Sequence, residues 1–296
     1  MNRGYLYALL SALFLSTGIL TNKYLMQFVN PKMLAFLWFG TIFIGSSIAI
    51  LLHRRTEFIS NVKKHWKDGL IVGGINGVGV TFFFFALSLL EASTMAFLVR
   101  FSTIFTVILG VLLLKERLTR YELIGILVAV GGALLINYNN GTYTTIALIA
   151  ALAAALAIAS HQIVAKIFVK RIHPLHLVNI RVLFTTVILF AITFFTSNMQ
   201  PVPLNIIPIL LIVAGVLGVL GFVFFYKSLE LIDVSKAAVI RTLDPFFVVI
   251  YSFILFRTFP NVQELLGGIL IVAGVIIIVL KHRIAEFASS ISAFKL

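Results

Sequence analysis

Apolar residues fill ten stretches of the chain, and polar residues collect in the short intervals between them. A helix that spans a bilayer needs about 20 residues, each rising about 1.5 Å. The stretches 4–28, 32–52, 69–90, 93–114, 121–138, 144–168, 174–197, 205–229, 234–256 and 262–281 suit that length. The pattern therefore predicts an all-α membrane protein with ten transmembrane helices. Pro31 and Pro174 stand where a following helix begins, a position that tolerates proline. Asn139-Asn140-Gly141 and residues 198–203 read as turns. The connections are short, so consecutive helices are expected to be antiparallel neighbours.

The pattern repeats. Pro31 and Pro174, and likewise Lys23 and Lys166, are 143 residues apart. Glu122 and Gly125 match Glu264 and Gly267 at a separation of 142, and Gly132 matches Gly274. Each half holds five spans, an odd number, so the second half enters the membrane upside down. The expected organisation is a first five-helix repeat over 1–140, an inverted second repeat over 141–284, and a cytoplasmic tail over 285–296. Inverted repeats that rock about a site near the midplane are a transporter architecture.

Composition agrees with burial in lipid. The chain of 296 residues is 61% hydrophobic and 11% charged, against about 25% charged in soluble domains. Cysteine is absent, which excludes disulfides and thiolate chemistry. The formal charge of +13 is explained by loop lysines and arginines on the cytoplasmic side, so no nucleic-acid partner is expected. With the N-terminus inside, the outer side receives only Lys23, Lys32 and Arg257, and Arg100, Arg181 and Arg241 lie within spans. All other Lys and Arg fall inside, so both termini are expected in the cytoplasm. The segment 5–27 has a counterpart in the second half, so it reads as a span rather than a cleaved leader. Residues 53–68, basic with Trp66 interleaved, read as a cytoplasmic loop near anionic headgroups.

Charges at membrane depth cost several kcal/mol, about 2.5–3.5 on insertion scales, so they face a wet cavity or one another. The ninth span carries Arg241 and Asp244 one turn apart, then Pro245, which bends a helix. Arg100 lies at a similar depth in the fourth span, and Arg181 about one third into the seventh. These arginines are candidates to fork onto a substrate carboxylate or phosphate; alternatively they cap carbonyls at kinks or pair internally. Asp244 is either a proton relay or the fixed partner of Arg241. His161 and Gln162 in the sixth span, Gly18 and Asn22 in the first, and Asn76 in the third form a polar lining in the functional reading. For His161 the plainer alternative is an imidazole bonded to a neighbouring helix. No ligand partner stands at metal-binding spacing from it. The aromatic block 82–85 reads as core and lipid-facing filler, with one or two rings and Tyr226 able to stack on a substrate. Glycine strips at 73/77, 215/218/221, 125/132 and 267/274 read as packing seams.

The run Lys115-Glu116-Arg117-Leu118-Thr119, followed by Glu122, Gly125, Gly131 and Gly132, resembles the end of an EamA domain. Such domains occur in tandem in the drug/metabolite transporter superfamily. Pro245 before an aromatic-rich helix, and Arg181 early in the seventh span, are similar to that family's pattern. The halves also depart from one another: Thr103 stands opposite Pro245, Trp38 opposite Arg181, and Thr258 opposite Glu116. The resemblance implies ten helices, no cofactor, and transport of small metabolites, often export of amino acids or drug-like compounds. On the residues, the candidate substrate site is Arg100, Arg181, Arg241, Asp244, His161, Gln162, Asn76 and Tyr226. Three guanidiniums against one carboxylate favour solutes with an anionic group. A monomer can enclose such a site, and a weak homodimer is compatible with it. The competing readings are a lipid or flippase-like carrier, a membrane protein that moves nothing, and an intramembrane enzyme. The last lacks HExxH, GxSxG and a partner for His161, and no P-loop exists for ATP to drive transport.

Overall fold

Pro31 and Pro174 each occupy the first residue of a helix, where the missing N–H costs nothing. The computed structural model describes residues 3–54, 58–114, 120–137, 141–232 and 234–279. The Lys115–Thr119 motif, Asn139 and Asn140, Asp233 and the tail 285–296 lie outside the described residues. Eight helices make the first repeat and the start of the second: α1 (Arg3–Leu25), α2 (Pro31–Arg54), α3 (Phe58–Leu89), α4 (Ala92–Leu98), α5 (Phe101–Leu114), α6 (Arg120–Asn137), α7 (Gly141–Phe168) and α8 (Pro174–Phe195). There follow α9 (Leu204–Leu231), α10 (Val234–Arg241), α11 (Asp244–Phe256) and α12 (Val262–Val279). Among the described residues, six of these helices are long and apolar enough to cross a membrane. Shorter apolar helices at Ala92–Thr106, Leu123–Ile136, Asp244–Phe256 and Val262–Ile278 make up the other four spans.

Three features differ from the expectation. The fourth span is not one helix but two, α4 and α5, interrupted at Val99 and Arg100, where the amides of Arg100, Ser102 and Thr103 bond carbonyls three residues back. The ninth span breaks at the equivalent place, between Arg241 and Asp244, as Pro245 led one to expect. Second, α9 is wound as a π-helix over Leu210–Gly218, a rare form that is frequent at functional sites. Third, the basic segment before the third span is helical from Phe58, not a loop, with its only break in helical geometry at His65 (φ −117°, ψ 19°). Asp68 anchors that extension: His65 Nδ1 lies 3.1 Å from Oδ2, and Arg171 at the start of the α8 connection donates to Oδ1 at 3.0 Å.

The halves are inverted with respect to one another. Gly125 of α6 faces the backbone of Gly274 in α12, and Gly132 faces Gly267. As one number rises the other falls, so these equivalent fifth helices pack antiparallel. A Cβ on Gly132 would come within 2.5 Å of the Gly267 carbonyl, and one on Gly267 within 2.6 Å of the Gly132 carbonyl. No side chain other than hydrogen fits at either place. The remaining contacts also run mostly between repeats. α3 lies against α7 and α8, while α9 lies against α1 and α2. Outward faces are apolar, with Leu52, Leu127, Ile149, Phe195 and Leu204 exposed, which is the surface an integral membrane protein offers to lipid.

Candidate functional site

A helix that stops in mid-membrane leaves carbonyls at its C-terminus and amides at the next N-terminus without partners. α4 and α10 both stop at an arginine-bearing turn, and the two breaks meet. Arg100 Nη1 donates to the Arg241 carbonyl at 2.8 Å, so a side chain of the first repeat satisfies the open end of a helix in the second. The same guanidinium lies 3.1 Å from Asp244 Oδ2, and Arg241 Nη2 donates to that oxygen at 3.0 Å. Asp244 thus serves two arginines, not the single neighbour expected. Its Oδ1 has no hydrogen-bond partner among the described residues, although Asp244 is buried. The Arg241 guanidinium also stacks over Phe225 at 4.7 Å.

Arg181 is differently placed. It is 1% exposed, so it does not snorkel to a surface. Its guanidinium stacks on Phe222 of α9 at 4.0 Å and sits 5.6 Å from the Tyr226 ring centre. One nitrogen, Nη1, reaches Asn76 Oδ1 at a long 3.4 Å. Asn76 in turn donates to the Thr185 hydroxyl at 3.0 Å, and Thr185 donates to the Gly73 carbonyl at 3.1 Å. That chain orients Asn76, and the absence of side chains at Gly73 and Gly77 lets α8 come close enough to build it. Arg181 Nε and Nη2 have no partner among the described residues, and no carboxylate is paired with it there.

These groups border a cavity of about 160 Å³. Arg100, Arg181, Arg241, Asp244, His161, Gln162 and Asn76 all line it, together with Gly18 and Asn22 of α1. Tyr226 does not: it is fully buried behind the wall, its hydroxyl 2.8 Å from His161 Nε2. Phe222, one turn earlier on the same helix, lines the cavity where Tyr226 was expected, with the Arg181 guanidinium over its ring. In the aromatic block Phe83 and Phe84 turn to the cavity, while Phe82 and Phe85 face outward. Trp38, Phe14 and Phe225 complete an apolar wall. Trp38 fills the notch that Gly18 leaves, since a Cβ there would meet its ring at 3.0 Å. Nothing in the sequence distinguished these rings among 28 phenylalanines, except that Trp38 stands where the other repeat has Arg181. No group of His, Asp and Glu among the described residues could hold a metal ion. The arrangement offers fixed charge, hydrogen-bond donors and aromatic faces in an enclosed space, which is equipment for binding.

A profile of the EamA-like transporter family matches the chain twice, over residues 2–138 and 145–280. The chain is 26% identical to the uncharacterized transporter YyaM of Bacillus subtilis, over 92% of either sequence. It is 22% identical to an uncharacterized transporter of Haemophilus influenzae, over 95% of this chain and 96% of that one. A solved crystal structure with 18% sequence identity superposes with a TM-score of 0.67, covering 93% of this chain and 95% of the other. At that identity the likeness concerns the fold alone.

Proposed function

We propose, for a chain that belongs to the EamA-like transporter family, that the central cavity binds small organic solutes bearing a carboxylate. In this reading Arg181 is the anion anchor. The observation that carries it is the buried guanidinium of Arg181, with Nε and Nη2 unpartnered and no carboxylate paired with it among the described residues, while Arg100 and Arg241, each with a buried Nε left open, are paired with Asp244. A guanidinium presents paired donors that match a carboxylate, and the aromatic wall of Phe14, Phe83 and Trp38 takes an apolar body. The unpartnered Asp244 Oδ1 favours a solute that also carries a donor, so amino acids rank ahead of simple organic acids. The solute moves by alternating access, as a secondary carrier, and export is the proposed direction. The distribution of Lys and Arg supports a plasma-membrane location with both termini in the cytoplasm. One chain encloses the site, so a monomer suffices, with at most a weak homodimer.

Counterflow in proteoliposomes tests this. Vesicles loaded with unlabelled amino acids are expected to accumulate the labelled form. Arg181→Gln is expected to lower the initial rate by about tenfold or more, the scale of one charge-assisted pair, with Arg181→Lys intermediate. Full counterflow in Arg181→Gln would remove Arg181 from the site. Transfer of labelled lipid in place of amino acids would favour the flippase-like alternative.

A further inference from the structure

Lys23 and Lys166, equivalent by the repeat, do equivalent things at opposite ends of the molecule. Lys23 of α1 donates to the Leu87 and Ser88 carbonyls at the C-terminus of α3, at 3.1 and 3.5 Å. Lys166 of α7 donates to the Leu229 and Ile232 carbonyls where α9 ends, the latter at 3.0 Å. Leu87 and Leu229 are themselves 142 residues apart, the spacing of the repeat. Ammonium groups belong at helix C-termini, where free carbonyls and the negative end of the helix dipole meet. Capping alone would account for one such lysine. It does not account for which helices each one joins.

α1 packs along α9, and α3 packs along α7. These two packed pairs supply most of the cavity wall and stand as its two flanks. Lys23 runs from the first flank to the second, and Lys166 from the second back to the first. α1 runs away from the Arg3 end, and α7, its inverted copy, runs the other way. The two ties therefore cross the same cleft at opposite membrane faces. They are also unequal. Lys23 borders a second cavity of about 360 Å³ with Gln27, Ser88, Glu91 and Thr258, which Lys166 does not line.

We infer that Lys23 and Lys166 are paired positioning residues that hold the two flanks together at alternate faces, each tie closing one entrance to the central cavity. This rests on the alternating-access reading above. The flanks separate at one face only when that face's lysine leaves its carbonyls, and the other tie then serves as the hinge end. A tie of charge-assisted hydrogen bonds is enough to bias such an equilibrium by about tenfold.

The absence of cysteine permits a direct test. A single reporter, Ile158→Cys on the cavity wall, is labelled with a membrane-impermeant thiol reagent from either face of oriented vesicles. Lys23→Met is expected to raise the ratio of labelling from the Lys23 face over the Lys166 face by about tenfold, and Lys166→Met to lower it by a similar factor. The double variant returns the ratio toward that of the reporter alone, which a merely structural role would not produce. Lys23→Gln and Lys166→Gln, keeping a donor, give smaller shifts of the same signs and serve where the methionine variants fail to insert. Ratios that stay put, or move the same way in both single variants, overturn the inference. Counterflow of the native chain is read alongside. Flux with an unmoved ratio sinks the ties alone, and opposite shifts without any flux sink the transport reading instead.

Discussion

A carboxylate shared by two guanidiniums cannot be removed without leaving two charges behind. Arg100 and Arg241 both rest on the buried Asp244 Oδ2, and breaking a buried ion pair by taking one partner costs about 3–5 kcal/mol. Asp244→Ala is therefore expected to lower unfolding stability in detergent by that amount, read as a shift in the denaturation midpoint. Arg241→Ala should cost less, because Arg100 still neutralises Asp244 and only the stack on Phe225 and one ion pair are lost. Equal losses from the two variants would mean that the Arg100 pair contributes nothing. The cavity-facing polar residues were legible because each is costly in an apolar helix and so stood out. Their pairings were not legible. Arg100 finds Asp244 from the other repeat, and sequence spacing offered only Arg241, one turn away. The rings that line the cavity were hidden for the opposite reason, being indistinguishable from lipid-facing phenylalanines by composition.

At the scale of elements, glycine does one job at some positions and none at its neighbours. Gly132 abuts the Gly267 carbonyl of α12, yet Gly131 beside it has open space where a Cβ would go. Gly132→Ala is expected to force α6 from α12 and cost about 1–3 kcal/mol, the usual scale of overpacking. Gly131→Ala should be neutral or stabilising by about 0.5–1 kcal/mol, from better helix propensity. Chemical unfolding of the two single variants checks both, and equal destabilisation would contradict the close seam. The ten spans, the starts at Pro31 and Pro174 and the kink before Pro245 all follow from hydrophobic length and proline chemistry. The break in the fourth span does not. Thr103 holds the place of Pro245 and no local residue stops the helix, so the interruption coincides with a tertiary demand: Arg100 must reach the carbonyl end of α10. The π-wound stretch of α9 escapes for a similar reason. Gly215 and Gly218 within it lie against Thr41 and Ile42 of α2, a contact that periodicity does not encode.

At the scale of the molecule, inverted symmetry makes the two membrane faces nearly equivalent in structure, so something outside the fold must decide which face is which. The α6–α12 seam reads the same in either direction, with Gly125 against Gly274 and Gly132 against Gly267. The lysine ties are likewise matched end for end. Charge is the feature that is not symmetric. The basic residues Lys63, Lys64, Lys67, Lys170 and Arg171 all fall on the face that holds the start of α1, and the opposite face retains Lys23, Lys32 and Arg257. Lysine and arginine near short loops set orientation during insertion, so this imbalance, not the packing, is expected to fix both termini in the cytoplasm. A green fluorescent protein fused after Leu296 should then fluoresce, and alkaline phosphatase at the same point should be inactive. Fusions in the connection 198–203 should give the reverse. Because the packing is indifferent to direction, adding lysines to that connection while replacing Lys63, Lys64 and Lys67 by glutamine should produce a mixed population, each reporter partly active. A population that stays wholly in one orientation after that exchange would mean that the fold itself, through contacts as yet unmatched between the repeats, dictates the sidedness.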